Sequence, residues 1–339
     1  MKKYYFFFIF KYRFRRHAFN NFLKIKKIKN YRIFDLSGPI KYFLFSKILI
    51  FITKIFNKKF NKFIFISCDA LPLIKNNGVN IWFAGTSLRV PNEYKKLKNN
   101  IPMIRNFIRY EENFISLFPR NLKKVDFKKQ FKIIYIGGLK VNNSKISLKI
   151  WKKYKLKILN NLSLIDDKIF WKNLKIKNKD DIYKIYLDLK YLIRLNVIII
   201  LKKKFKKDLI IVGNDWKKYI KDSLPSNHNI DFIKSLYQGN ICLDFGSSWG
   251  DNSLYPRSVE IIESGGFLLQ SLQADSSKKF KSLKKITNFD SVKDLIKKIS
   301  LYKEDYNNLN LNYKKIYSFF SSDMKNYRTL TQIRNISKK

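Results

Sequence analysis

Three observations predict an α/β fold built on parallel sheets. Short apolar runs end in Gly, Asn, Asp or Ser, stretches of helical spacing lie between them, and the two alternate through the second half of the chain. Apolarity that is continuous, not alternating, marks strands buried on both faces, as a parallel sheet requires. The strands of the second half are "FKIIYIGG" (Phe131 to Gly138), "DLIIVGND" (Asp208 to Asp215), "NICLDFGSS" (Asn240 to Ser248) and "GFLLQS" (Gly266 to Ser271). Helices are expected at Ser147 to Asn160, Asp180 to Arg194, Tyr255 to Ser264 and Ser291 to Tyr302.

The first half is less regular. "NKFIFISCDALP" (Asn61 to Pro72) and "GVNIWFAGTSLRVP" (Gly78 to Pro91) each resemble a strand emptying into a loop, while "IPMIRNFIRYEENFI" suits a strand or a helix. The expected organisation is a basic aromatic segment over 1–30 and an α/β domain over 31–129. A Rossmann-like domain follows over 130–320, carrying a helical insertion at about 165–207, and a helix or tail covers 321–339.

Composition narrows the class. With 45% hydrophobic and 16% aromatic residues in 339, the chain has ample material for a core and is not disordered. Its net charge of +46 has two readings. One is an anionic partner, nucleic acid or a membrane surface. The other is a bias toward Lys, Phe and Tyr of the kind AT-rich codons produce, which fits Lys residues spread along the whole chain. Cys68 and Cys242 lie far apart in strands and read as buried free thiols of a reducing cytoplasm. His17 and His228 make no metal cluster by themselves. Lys41 to Phe56 is broken by Lys47 and Lys54, so a membrane span of roughly 20 apolar residues never forms. It reads as a domain helix or an interfacial one. The N-terminal apolar run is short and lacks a small-residue cleavage site, which argues against secretion.

Ligands of an open parallel sheet bind beyond the carboxyl ends of its strands, which directs attention to Gly137 and Gly138, Gly213 to Trp216 (with Asn214), Gly246 to Ser253 (with Asn252), and Ser271. Glycine lets backbone approach a phosphate, and helix N-termini add free amides and partial positive charge. In "LYPRSVEIIESGGFLLQ" (Leu254 to Gln270), Ser253 serves as N-cap or lies just before it, Pro256 suits the first turn, and Gly265-Gly266 end the helix. Arg257 then falls in the first turn, where the helix dipole disfavours a cation unless an anion is bound. A diphosphate there would be forked by Arg257, with Glu260 on the same face one turn deeper as acceptor for sugar hydroxyls. Spacing alone favours reading Arg257 and Glu260 as an ordinary i,i+3 surface pair. The Trp of "GNDW" is a ligand-side residue or a packing one.

From about Phe131 to Tyr302 the chain resembles the donor-binding half of GT-B glycosyltransferases, most nearly the CgeB-like (spore-protein glycosyltransferase-like) group of the glycosyl transferases group 1 clan. The likeness rests on "KIIYIGGLK", "LIIVGNDW" and the longer block "LYQGNICLDFGSSWGDNSLYPRSVEIIESGGFLLQ". It implies two Rossmann-like domains facing a cleft, the first one short. It also implies a nucleotide-sugar donor as substrate with no cofactor and no obligatory metal. Under it Arg257 contacts the diphosphate and Glu260 holds the ribose, with Gly137, Gly138, Asn214, Trp216, Asn252, Ser253 and Gly265 completing the donor site. Glu260 matches the second Glu of the Glu-x7-Glu motif, and Asn252 stands where the first Glu would be. The expected activity is sugar transfer to a glycan, lipid-linked or protein acceptor in surface polysaccharide or glycan biosynthesis. Asp69, just after "FIFISC", is the candidate general base of an inverting mechanism, or a capping or turn Asp. The expected setting is cytoplasmic, with peripheral contact to an anionic membrane and no specific nucleic acid. An inactive binding or scaffold protein of the same fold and a basic nucleic-acid-binding protein are the alternatives.

Overall fold

In the computed structural model, six strands are described in the first half of the chain. In the second half the structure describes residues 122–140, 144–176, 179–227, 229–246, 256–271 and 282–326. The chain divides into two compact units, Met1–Phe118 with Asn326–Lys339, and Pro119–Lys325.

The first unit contains β1 (Tyr4–Phe10), β2 (Tyr31–Asp35), β3 (Phe63–Cys68), β4 (Val79–Ala84), β5 (Met103–Arg105) and β6 (Phe114–Ser116). All pair in parallel, in the order β2-β1-β3-β4-β5-β6. This corrects the expected boundary. β1 lies in the stretch read as preceding the first domain, yet it is an interior strand between β2 and β3. Its sequence "YYFFFIF" is the continuous apolar run that an interior parallel strand needs. The third apolar stretch, read as a strand or a helix, contributes two short strands, β5 and β6. The proposed helix at Lys41 to Phe56 and the candidate base Asp69, one residue past β3, lie outside the described residues.

The second unit is built on β7 (Ile133–Ile136), β8 (Leu209–Val212), β9 (Ile241–Asp244), β10 (Phe267–Ser271) and β11 (Asn288–Phe289). They form a wholly parallel sheet in the order β11-β10-β9-β7-β8. β9 and β10 are buried along their entire length, which explains why their sequences do not alternate. β7 to β10 stand where the apolar runs place them. β11, two residues long, is too short to announce itself.

From β7 the chain crosses to β8 through α1 (Lys145–Asn160), α2 (Lys168–Asn173) and α3 (Lys179–Phe205). The helices read as an insertion are therefore the crossover itself. Ser144 caps α1, its Oγ accepting from Ser147 N–H, and Asp167 caps α2 through Ile169 N–H. α3 runs well past the expected Arg194 because "LNVIIILKKKF" keeps a buried stripe, Leu195, Val197, Ile198, Leu201 and Phe205. α4 (Ile230–Tyr237) links β8 to β9 and α5 (Pro256–Glu263) links β9 to β10. The short α6 (Lys284–Thr287) precedes β11, and α7 (Val292–Glu304) and α8 (Tyr306–Asn326) follow it. Ser291 caps α7 through Asp294 N–H. Asn310 on α8 ties down the segment before β7, exchanging hydrogen bonds with Phe127 N–H and C=O. Among the described residues no helix is long and apolar enough to cross a membrane.

This strand order determines where a ligand can sit. The crossover from β7 goes to one side, to β8, and the next strand, β9, lies on the other. The two connections diverge at the carboxyl ends of β7 and β9 and leave a crevice, the switch point at which doubly wound sheets bind ligands.

Candidate functional site

At the end of β7 the backbone turns at Gly137. Its N–H donates to Val212 C=O (2.8 Å), and its own C=O accepts from the indole N–H of Trp216 (2.7 Å). Leu139 N–H donates to Asn214 C=O (3.0 Å), so the turns after β7 and β8 are joined. They meet so closely that a methyl on Gly213 would stand 2.3 Å from Gly137 O, a backbone atom that cannot move aside. Trp216 is fully buried and packs edge-on against Tyr135, with ring centres 5.5 Å apart. The structure thus gives Trp216 the packing role: it braces the Gly137 turn from within the core. Asn214 is exposed on the neighbouring turn.

Gly137 is crowded by two functional side chains. A methyl there would lie 2.8 Å from Tyr135 Oη and 3.2 Å from Arg257 Nη1. Arg257, from the first turn of α5, therefore reaches back over the end of β7, and it is half-buried. Beside it Gly138 meets no atom of the described residues within 4 Å of where its side chain would begin. Glu260 lies one turn further along α5. Its side chain keeps an exposed surface, yet protein crowded around the carboxyl raises its pKa, with Arg257 opposing the shift and Asp244 adding to it.

The start of α5 is moored to the end of β9. Asp244 is 1% exposed; its carboxylate accepts from Gly246 N–H (2.9 Å) and from the hydroxyl of Ser258, one residue after Arg257. Ser258 also lies 3.4 Å from Gln270 Oε1, Gln270 Nε2 donates to Asn288 Oδ1, and Thr287 Oγ1 reaches the same oxygen. This buried polar chain crosses the carboxyl ends of β9, β10 and β11. Each member is hydrogen-bonded, so it fixes the rotation of α5 and with it the aim of Arg257 and Glu260. Sequence reasoning missed Asp244, Ser258 and Gln270, although an Asp closing the apolar run "ICLD" was a visible signal.

Gly265 stands elsewhere. Its N–H donates to Ile262 C=O and that of Gly266 to Ile261 C=O, the double bond of a Schellman cap, with Gly265 at φ 80°. A methyl on Gly265 would stand 2.5 Å from Val125. The residue begins the return to β10 at the amino edge of the sheet, opposite the Arg257 end, so it is corrected from a donor-binding to a helix-ending residue. Asn252 and Ser253 lie outside the described residues. Cys242 is a fully buried free thiol whose pKa burial pushes well up. Among the described residues no three His, Cys, Asp or Glu side chains could share a metal ion.

The structure thus brings Gly137, Gly138 and Arg257 to one crevice, with the Glu260 carboxyl, of raised proton affinity, near Arg257 one turn further along α5. That set suits an oxyanion next to a group bearing hydroxyls. No family model, curated protein or solved structure matches the chain.

Proposed function

We propose that the second unit binds a nucleotide-sugar donor at this crevice and that the protein is a GT-B-type glycosyltransferase acting on a glycan, lipid-linked or protein acceptor. One observation carries the reading: Arg257 Nη1 is held against the Gly137 turn at the switch point between β7 and β9. A guanidinium in a first helical turn opposes the helix dipole, and a bound diphosphate removes that conflict while receiving its fork of N–H donors. Glu260, one turn deeper, accepts hydrogen bonds from a vicinal pair of ribose hydroxyls. Crowding around its carboxyl disfavours the ionised form, and hydroxyl donors that reach it would offset that cost. The first unit, with its own parallel sheet, would hold the acceptor, and Asp69 after β3 is the base to test.

A thermal-shift and calorimetric panel of nucleoside diphosphates and nucleotide sugars tests this, because a ligand bound only to the folded chain raises its melting temperature. At least one should bind, with affinity lost in Arg257→Ala and reduced in Glu260→Ala. Affinities unchanged by both substitutions would sink the assignment. Binding without release of sugar to any acceptor would favour the inactive, ligand-holding alternative.

A further inference from the structure

At the same strand ends stands a buried cation that pairs with no carboxylate among the described residues. Arg194, on α3, is 7% exposed, and its Nε has no hydrogen-bond partner. Its guanidinium makes one long contact, Nη2 to Gly246 O at 3.4 Å, and lies 5.3 Å from the ring centre of Tyr191. None of the ion pairs among the described residues includes it. Taking a guanidinium out of water is costly unless a negative charge and hydrogen bonds replace the solvent, and one stretched carbonyl contact replaces little of it.

The second orphan lies close by. Tyr135 is fully buried, and its hydroxyl also lacks a partner. That hydroxyl stands beside Gly137, and both Arg194 and Arg257 are near enough to favour its ionised form against the effect of burial. Buried polar atoms are almost always satisfied. Among the described residues three buried side-chain N or O atoms are not, and two of them, Tyr135 Oη and Arg194 Nε, belong to this cluster. The third, Ser223 Oγ, is on the loop after β8. On the Gly137 turn that the Tyr135 hydroxyl touches, Gly138 meets no atom of the described residues within 4 Å. Positive charge converges from α3 and α5, and the two unsatisfied atoms come from α3 and β7, at one crevice.

We infer that Arg194 and the Tyr135 hydroxyl form a second oxyanion contact, so that the diphosphate is gripped by two guanidinium groups from two different helices. This rests on the reading that the crevice takes a diphosphate. It assigns to α3, in the crossover between β7 and β8, a direct part in binding, and it explains why an arginine is buried there with no carboxylate partner among the described residues.

The test is calorimetric titration of the full chain with inorganic pyrophosphate and, separately, with a nucleoside diphosphate panel, together with thermal melts without ligand. Arg194→Met should weaken pyrophosphate about 10- to 100-fold, the range of a charge-assisted hydrogen bond. It should also raise the ligand-free melting temperature, because an uncompensated buried charge is gone. Tyr135→Phe should weaken pyrophosphate about 3- to 10-fold and leave the melting temperature equal or higher, since the lost hydroxyl had no partner. A merely structural arginine or tyrosine would lower the melting temperature instead. Pyrophosphate affinity unchanged in both variants but lost in Arg257→Ala would overturn this inference and leave the donor reading standing. A wild-type chain that binds pyrophosphate through Arg194 yet binds no nucleotide supports the inference and sinks the donor reading. If the wild-type chain binds nucleoside diphosphate but not pyrophosphate, two-arginine capture of the diphosphate is wrong.

Discussion

Gly137→Ala is the substitution on which the site geometry commits itself most sharply. The added methyl would stand 2.8 Å from Tyr135 Oη, 3.2 Å from its Cζ and 3.2 Å from Arg257 Nη1, all inside ordinary van der Waals contact with carbon. The tyrosine cannot withdraw: it is fully buried, with Trp216 and Phe245 edge-on against it at 5.5 and 5.6 Å. The flexible, half-buried Arg257 can, so part of the strain is relieved by pushing its guanidinium out of the crevice. Overpacking of this kind costs about 1–3 kcal/mol, and a unit of this size loses roughly 2–4 °C of melting temperature per kcal/mol. The same substitution should weaken nucleotide binding at least tenfold through the displaced guanidinium. Gly138→Ala is the matched control, because its methyl meets nothing within 4 Å. Its stability should stay within about 0.5 kcal/mol of wild type, while a ligand seated beside that turn would be sterically weakened. Thermal and denaturant melts of both variants, with calorimetry alongside, decide the matter. Equal melting of Gly137→Ala and wild type, or equal destabilisation by the two substitutions, would refute the crowded-turn geometry.

Other consequences follow from the same contacts. Ser258→Ala leaves the buried Asp244 carboxylate with one donor fewer and should cost about 1–3 kcal/mol in denaturant melts, with Arg257 loosened and nucleotide affinity reduced. Trp216→Phe removes the indole N–H from Gly137 C=O and should destabilise the second unit by a similar amount; an unchanged midpoint would mean that the turn needs no brace. Hydrogen bonds from Lys303 and Lys132 lower the pKa of Asp208, so its contribution is complete above the ordinary Asp value near pH 4 and fades as pH falls through the depressed folded value. Asp208→Asn should therefore cost about 0.5–1 kcal/mol at pH 6 and progressively less in acid melts. Glu260 has the opposite sign: its raised pKa makes the ligand-free fold lose stability as pH rises from about 4 through the folded value. Glu260→Gln should melt higher than wild type at neutral pH, equal to it below pH 4, and bind nucleotide more weakly; a neutral-pH melt no higher than wild type would contradict the crowded environment.

Local pattern made much of the second unit legible. "IIYI", "LIIV", "ICLD" and "FLLQS" are strands because their apolar residues do not alternate with polar ones, and the spacing of Arg257 and Glu260 places both on one side of a helix. β1 escaped because "YYFFFIF" sits among Lys and Arg, and which strands flank it is not a local property. Trp216 was ambiguous for the same reason, since its partner Gly137 lies 79 residues away. Arg194 carried no signal at all: in a Lys-rich helix it resembles its neighbours until Gly246, 52 residues on, and Tyr135 are found beside it.

The sequence by itself determined that this chain makes parallel strands ending in small residues, and that a cation and a carboxylate share a face of the helix after β9. Periodicity is a short-range property, visible within one element. Only the tertiary structure decided that β9 lies beside β7 and β8 beyond it, which brings Arg257 over Gly137, buries Asp244 under Ser258 and sends Gly265 to the far edge. Those choices depend on which crossover passes to which side of the sheet, and that is settled by burying whole faces of helices and strands together.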